Sequence, residues 1–200
     1  MHSQVVPTLL DALRTGTALL HVALEKRLPF FCEQLDAGWY QRLLQAYYGF
    51  YGPMEAALYD SGLIPEGYDP VLRVKTPTLL GDLTALGLDA RAIHALSRCT
   101  ELPVFDTPAA CLGALYVLEG ATLGGQVLRR EMAQRLDVNA ENGGAFLNVY
   151  GTETGRRWKD FLDYLGSLPL DAVAKQRAVD AARSTFSCFE QWLDSQEVLL

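Results

Sequence analysis

Arg14, His21 and Glu25 share one stretch of apolar period near the start of the chain, and their types and spacing could hold a metal. Glu25 follows His21 by four residues on the same helical face, where a carboxylate can orient an imidazole and raise its basicity as a metal ligand. Arg14 precedes His21 by seven residues, two turns and roughly 10 Å along the axis, within reach of a negative group extending from an iron-bound ring. A plainer reading also fits: a histidine on an apolar face can be a satisfied core residue, and the two charges can be ordinary surface groups.

A second stretch, Tyr116-Val117-Leu118-Glu119-Gly120-Ala121-Thr122-Leu123-Gly124-Gly125-Gln126, sets Gly120, Gly124 and Gly125 inside a helical pattern. Each glycine costs about 0.8 to 1 kcal/mol relative to alanine, so the three together cost about 3 kcal/mol. Something must offset that. Either the Gly120-x-x-x-Gly124 face packs tightly on another helix, or the bare backbone lies against a flat ligand and bends at Gly124-Gly125.

The elements that must position these residues read as helices throughout. Leu9, Leu13, Thr17, Leu20, Leu24 and Leu28 form one stripe that Pro29 closes, which turns His21 inward. A second helix over about 38–60 carries Trp39, Tyr40, Tyr47, Tyr48, Phe50 and Tyr51, suited to a core or a pocket wall, and Pro53 should kink or break it. The stretch 62–77, with Pro65, Gly67, Pro70 and Pro77, reads as a loop. Helices follow over about 78–86, with Thr76 as N-cap, over 89–99 with Asp89 as N-cap, and over 108–136 opened by Thr107-Pro108. A turn at 139–144 and helices over about 152–165 and 170–196 complete the pattern, with no alternating strand and no repeat. The fold class is therefore all-α, one irregular helical bundle over residues 1–200.

With 200 residues, half of them apolar, the chain can bury a core without disulfides. A net charge of -7 and no long Lys/Arg cluster argue against nucleic acid as a partner. Cys32, Cys99, Cys111 and Cys188 lack CxxC spacing and sit in apolar stretches, as reduced cysteines do. No signal-peptide pattern opens the chain and no stretch approaches the roughly 18 to 20 apolar residues of a span, so a soluble cytoplasmic protein without a membrane partner is expected. A di-iron bundle is disfavoured because Glu-x-x-His is missing, and a c-type cytochrome because Cys-x-x-Cys-His is missing. His94 is the lesser candidate for a ligand.

The run from Gly120 to Gln126 followed by Val127-Leu128 resembles the distal helix of haem oxygenases, and Leu13 to Glu25 resembles their proximal helix. The similarity continues to Ala181-Ala182-Arg183-Ser184-Thr185-Phe186, and the Tyr-Val-Leu-Glu-Gly wording resembles the bacterial branch, which includes enzymes supplying biliverdin to bacteriophytochromes. The resemblance implies the fold of that family and the oxidative cleavage of haem b, both cofactor and substrate, to biliverdin, ferrous iron and carbon monoxide, with dioxygen as co-substrate. It makes His21 the iron ligand and places Gly120, Gly124 and Gly125 on the distal face. It sets Arg14 and Lys159 near the propionates and makes Phe186 a wall residue. At Ala121 many family members carry an aspartate that anchors a proton-delivering water network, so the resemblance shifts that task to water with Thr122, Tyr116 or Glu119. Without a nucleotide-binding glycine loop, electrons are expected from a separate ferredoxin-like or flavin-dependent reductase, docking on a basic rim of Arg14, Arg156, Arg157 and Lys159. The alternative is a haem carrier or sensor on the same fold, which would ligate through His21 without degrading its ligand.

Overall fold

The computed structural model describes residues 8–200, and among them it contains helices and no strands. Seven α-helices follow in order: α1 (Leu9–Arg27), α2 (Ala37–Asp60), α3 (Thr76–Ala85), α4 (Ala90–His94), α5 (Pro108–Leu136), α6 (Thr154–Ser167) and α7 (Ala172–Ser195). Five begin where a short polar side chain accepts a backbone N–H of the first turn: Thr8, Asp36, Asp89, Thr107 and Asp171. Such caps are local, so the sequence places these starts to within two residues.

Three expectations need correction. Pro53 does not break α2, which runs through it unbroken. A proline leaves the carbonyl four residues earlier without its helical donor, and here that carbonyl, Gly49 O, accepts the Cys99 N–H at 2.9 Å. The same contact ends α4 early. The chain leaves the helix after His94 and lays Ser97 to Cys99 against Gly49, where an added Cβ would stand 2.6 Å from Ser97 O. Thr76, third, is not the N-cap of α3; Lys75 is, and its side chain makes no cap. Glu55 of α2 does that work from outside, accepting the backbone N–H groups of Lys75 at 2.8 Å and Thr76 at 3.0 Å.

α5 and α7 make the most extensive helix contact, followed by α1 with α7. Gly113 sets the α5–α7 spacing: a Cβ there would lie 1.9 Å from the Ala178 carbonyl oxygen, so the backbones touch. Gly113→Ala should therefore destabilise the protein by about 3 kcal/mol, because overpacking outweighs alanine's better helix propensity. Thermal unfolding of the two proteins measures this. By length and composition α5 could cross a membrane, contrary to the sequence expectation, but half of its apolar stretch is buried inside the bundle. That is how the core helix of a folded domain looks.

Candidate haem site

α1, α5 and α7 line a cavity of about 870 Å³, to which α2 and the segment after α5 also contribute. Its volume falls within the range typical of sites for organic ligands. Leu9, Leu13, Thr17 and Leu24 anchor α1 in the core, and the next face of the helix, with Arg14, Ala18, His21, Val22 and Glu25, lines the cavity. His21 is thus not packed among apolar side chains as its stripe implied. Its side chain is 55% exposed and lies along the cavity wall. Nδ1 sits 3.5 Å from Glu25 Oε2, and the Phe186 ring meets the imidazole edge-on with centroids 5.9 Å apart. With Nδ1 turned to the carboxylate, Nε2 is the nitrogen left for a ligand.

The glycines of α5 divide the two readings the sequence left open. A Cβ on Gly124 would meet nothing within 4 Å, and one on Gly120 would make only ordinary contact with Trp158 at 3.5 Å. Neither position is required by helix packing. Gly125 is: a Cβ there would lie 2.5 Å from the Leu147 carbonyl oxygen. The bare backbone at Gly120 and Gly124 therefore borders open cavity, as a flat ligand needs. Gly124→Ala should raise the unfolding midpoint of the ligand-free protein, since it gains up to about 1 kcal/mol of helix propensity, while weakening occupancy of the cavity. Calorimetry and a haem titration on one preparation would read the two effects.

Arg14, Glu25, Gly120, Thr122, Gly124, Gly125 and Phe186 all join His21 on the cavity wall, as does Ala121. Lys159 does not. It sits on the outer face of α6 with Nζ 2.6 Å from Asp163 Oδ2, because the cavity-facing position of that turn belongs to Trp158. Two other members of the expected basic rim are engaged within the protein: Arg156 pairs with Glu153 and Asp160, and Arg157 stacks on Tyr150 and donates to Leu72 O at 2.6 Å. His94 is exposed on α4 and is not part of the wall.

Sequence reasoning missed a buried charge cluster behind the cavity. Glu119, 1% exposed, accepts from Lys75 Nζ at 2.7 Å and Arg73 Nη1 at 2.5 Å, and from the hydroxyls of Tyr150 at 3.0 Å and Tyr68 at 3.4 Å. Burial, and then the Glu119 carboxylate, push both phenols far above the usual tyrosine range, so they remain neutral donors. Arg73 also lies over the Tyr68 and Phe161 rings. Lys75 is itself 1% exposed yet touches the cavity. One signal was available: Glu119 falls on the same helical stripe as Leu112 and Leu115, where an unpaired carboxylate would be costly.

The described residues contain no cluster of three or more His, Cys, Asp or Glu side chains able to hold a bare metal ion. A single imidazole facing a large, mostly apolar cavity instead suits a metal that brings its other ligands with it, as haem iron does. The sequence profile described as Heme oxygenase matches residues 7–195, so the chain belongs to the haem oxygenase family, whose members bind and degrade haem. A haem oxygenase of Xanthomonas campestris is 27% identical over 162 residues, covering 81% of this chain and 93% of that protein. The fold superposes on haem oxygenase of Leptospira interrogans with a TM-score of 0.78 at 23% identity, over 94% of this chain and 100% of the other. It superposes on the NO- and CO-bound enzyme of Neisseria meningitidis with a TM-score of 0.74 at 24% identity, over 96% and 92%.

Proposed function

We propose that the chain cleaves haem to biliverdin, ferrous iron and carbon monoxide, using dioxygen and electrons from a separate ferredoxin-like or flavin-dependent reductase. The observation that carries this reading is one cavity lined both by His21 of α1 and by the open backbone at Gly120 and Gly124 of α5. Haem, when bound, supplies both the iron at which dioxygen is reduced and the meso carbon that is oxidised. The protein's own groups bind and orient it. His21 Nε2 would hold the iron, Glu25 would fix the imidazole through Nδ1, and Arg14 would take a propionate at the cavity edge. Phe186 packs on the imidazole and limits its rotation. The glycine backbone of α5 would let the bound group come close and leave little further room in the cavity beside it.

Ala121 provides no acid, so proton delivery falls to water held by other groups on the wall. Thr122 donates its hydroxyl to the Glu119 carbonyl at 2.7 Å, which fixes the oxygen as an acceptor for a water at the cavity edge. Thr122→Leu should lower turnover on the order of 100-fold, the lower end of what a positioned proton path contributes, with haem affinity little changed. Unaltered turnover would remove Thr122 from the path.

Ala121 also supports a second reading, a haem carrier or sensor that keeps its ligand intact. Haem added to the purified protein with a reductase system in air distinguishes them. A Soret band that decays into biliverdin absorbance supports cleavage, and a band that persists supports the carrier. If biliverdin forms, a bacteriophytochrome is the acceptor we propose.

A further inference from the structure

Outside the cavity, the described residues place two thiols side by side. Cys99 Sγ and Cys188 Sγ are 3.8 Å apart, and both donate to the Glu101 carbonyl, at 3.6 and 2.7 Å. Cys99 is buried and follows α4, where its N–H is bonded to Gly49 of α2. Cys188 is half-buried on α7, between Phe186 and Phe189, which both line the cavity. The other cysteines have different surroundings: Cys111 lies near the Ser61 hydroxyl, and Cys32 donates to Gln34.

We propose that Cys99 and Cys188 form an oxidisable dithiol site whose substrate is a low-molecular-weight disulfide such as oxidised glutathione. Cys188, the more accessible thiol, attacks one sulfur of that disulfide, forming a mixed disulfide and releasing one glutathione thiol. Cys99 then displaces the second glutathione, which leaves as a thiol, and a Cys99–Cys188 bond remains. Two protein thiols have been oxidised and one small disulfide reduced. The sulfurs stand 3.8 Å apart and need to approach by less than about 2 Å to reach bonding distance. Burial, with Cys99 adding to it, pushes the Cys188 thiol up to about 12, so its capture is slow near neutrality. The bond would join positions 89 residues apart and tie the segment after α4 to the turn of α7 that forms part of the cavity wall.

The test needs no haem, so its outcome is independent of the catalytic reading. Ligand-free protein is equilibrated at pH 8.5 with increasing ratios of oxidised to reduced glutathione, free thiols are alkylated with N-ethylmaleimide, and peptides are mapped by mass. The expected result is a Cys99–Cys188 linked peptide, absent from Cys99→Ser and from Cys188→Ser and retained in Cys111→Ser, with an unfolding midpoint raised by about 10 °C through the long loop closed. Full alkylation of both thiols at the most oxidising ratio, or Cys188 carrying glutathione without progressing to the linked peptide, would overturn the proposal. So would a midpoint that falls when the bond forms, since the pair would then not be preset for closure.

Discussion

His21→Ala should weaken haem binding on the order of 100-fold or more and abolish turnover, because it removes the one imidazole that the described residues place on the cavity wall while leaving the helix intact. Loss of a partner that only orients a ligand costs about 10- to 100-fold, so Glu25→Ala should fall short of His21→Ala in the same titration. The imidazole is more than half exposed along the cavity, and its contact with the core is the edge-on meeting with Phe186. Alanine is the best helix former, and the unfolding midpoint of the ligand-free protein should therefore hold steady. A Soret titration reads the affinity, and free imidazole added to His21→Ala should restore the band by entering the space the side chain leaves. A mutant that binds haem with unchanged affinity and spectrum would move the ligand elsewhere.

The largest effect on stability should come from Lys75→Met, at about 3 kcal/mol or more. Breaking a buried ion pair by removing one partner leaves an uncompensated charge, and such changes cost about 3 to 5 kcal/mol. Glu119 would keep Arg73 and the two tyrosine hydroxyls, which sets the estimate at the lower end. The double variant Lys75→Met with Glu119→Gln should lose less than the sum of the single losses, since the two residues are directly coupled at 2.7 Å. Denaturant unfolding of the three variants measures both points. Additive losses would mean that the ammonium and the carboxylate do not depend on each other.

How far the sequence could be read follows from how local each interaction is. The helix starts at Asp89 and Thr107 were legible because the capping oxygen stands three residues from the amide it binds. The α1 and α5 motifs were legible because histidine, carboxylate, cation and glycines each occupy a single helix. Seven of the eight expected ligand-contacting residues line the cavity. Lys159 lies off that wall, where Trp158 takes the place, because a charged run shows which residues belong to a helix but not which of them faces the cavity. The charge cluster was illegible for a related reason. Arg73 and Lys75 lie in a stretch that reads as a solvated loop, and their partner Glu119 is 44 residues beyond Lys75. The early end of α4 and the continuity of α2 through Pro53 are one event, a hydrogen bond from Cys99 to Gly49 that neither segment announces alone.

The borrowed cap on α3 bears on the order in which the chain folds. Without a side-chain oxygen of its own at Lys75, the isolated segment 76–85 lacks the element that would offset its costly first turn. Glu55 supplies it only once α2 has formed and the intervening loop has closed. α3 is then nucleated on a template and comes after α2 in time. Because Asp82 of α3 accepts the Ala145 and Phe146 amides at 2.9 and 2.7 Å, the cavity wall at Phe146 depends through α3 on a cap that α2 supplies.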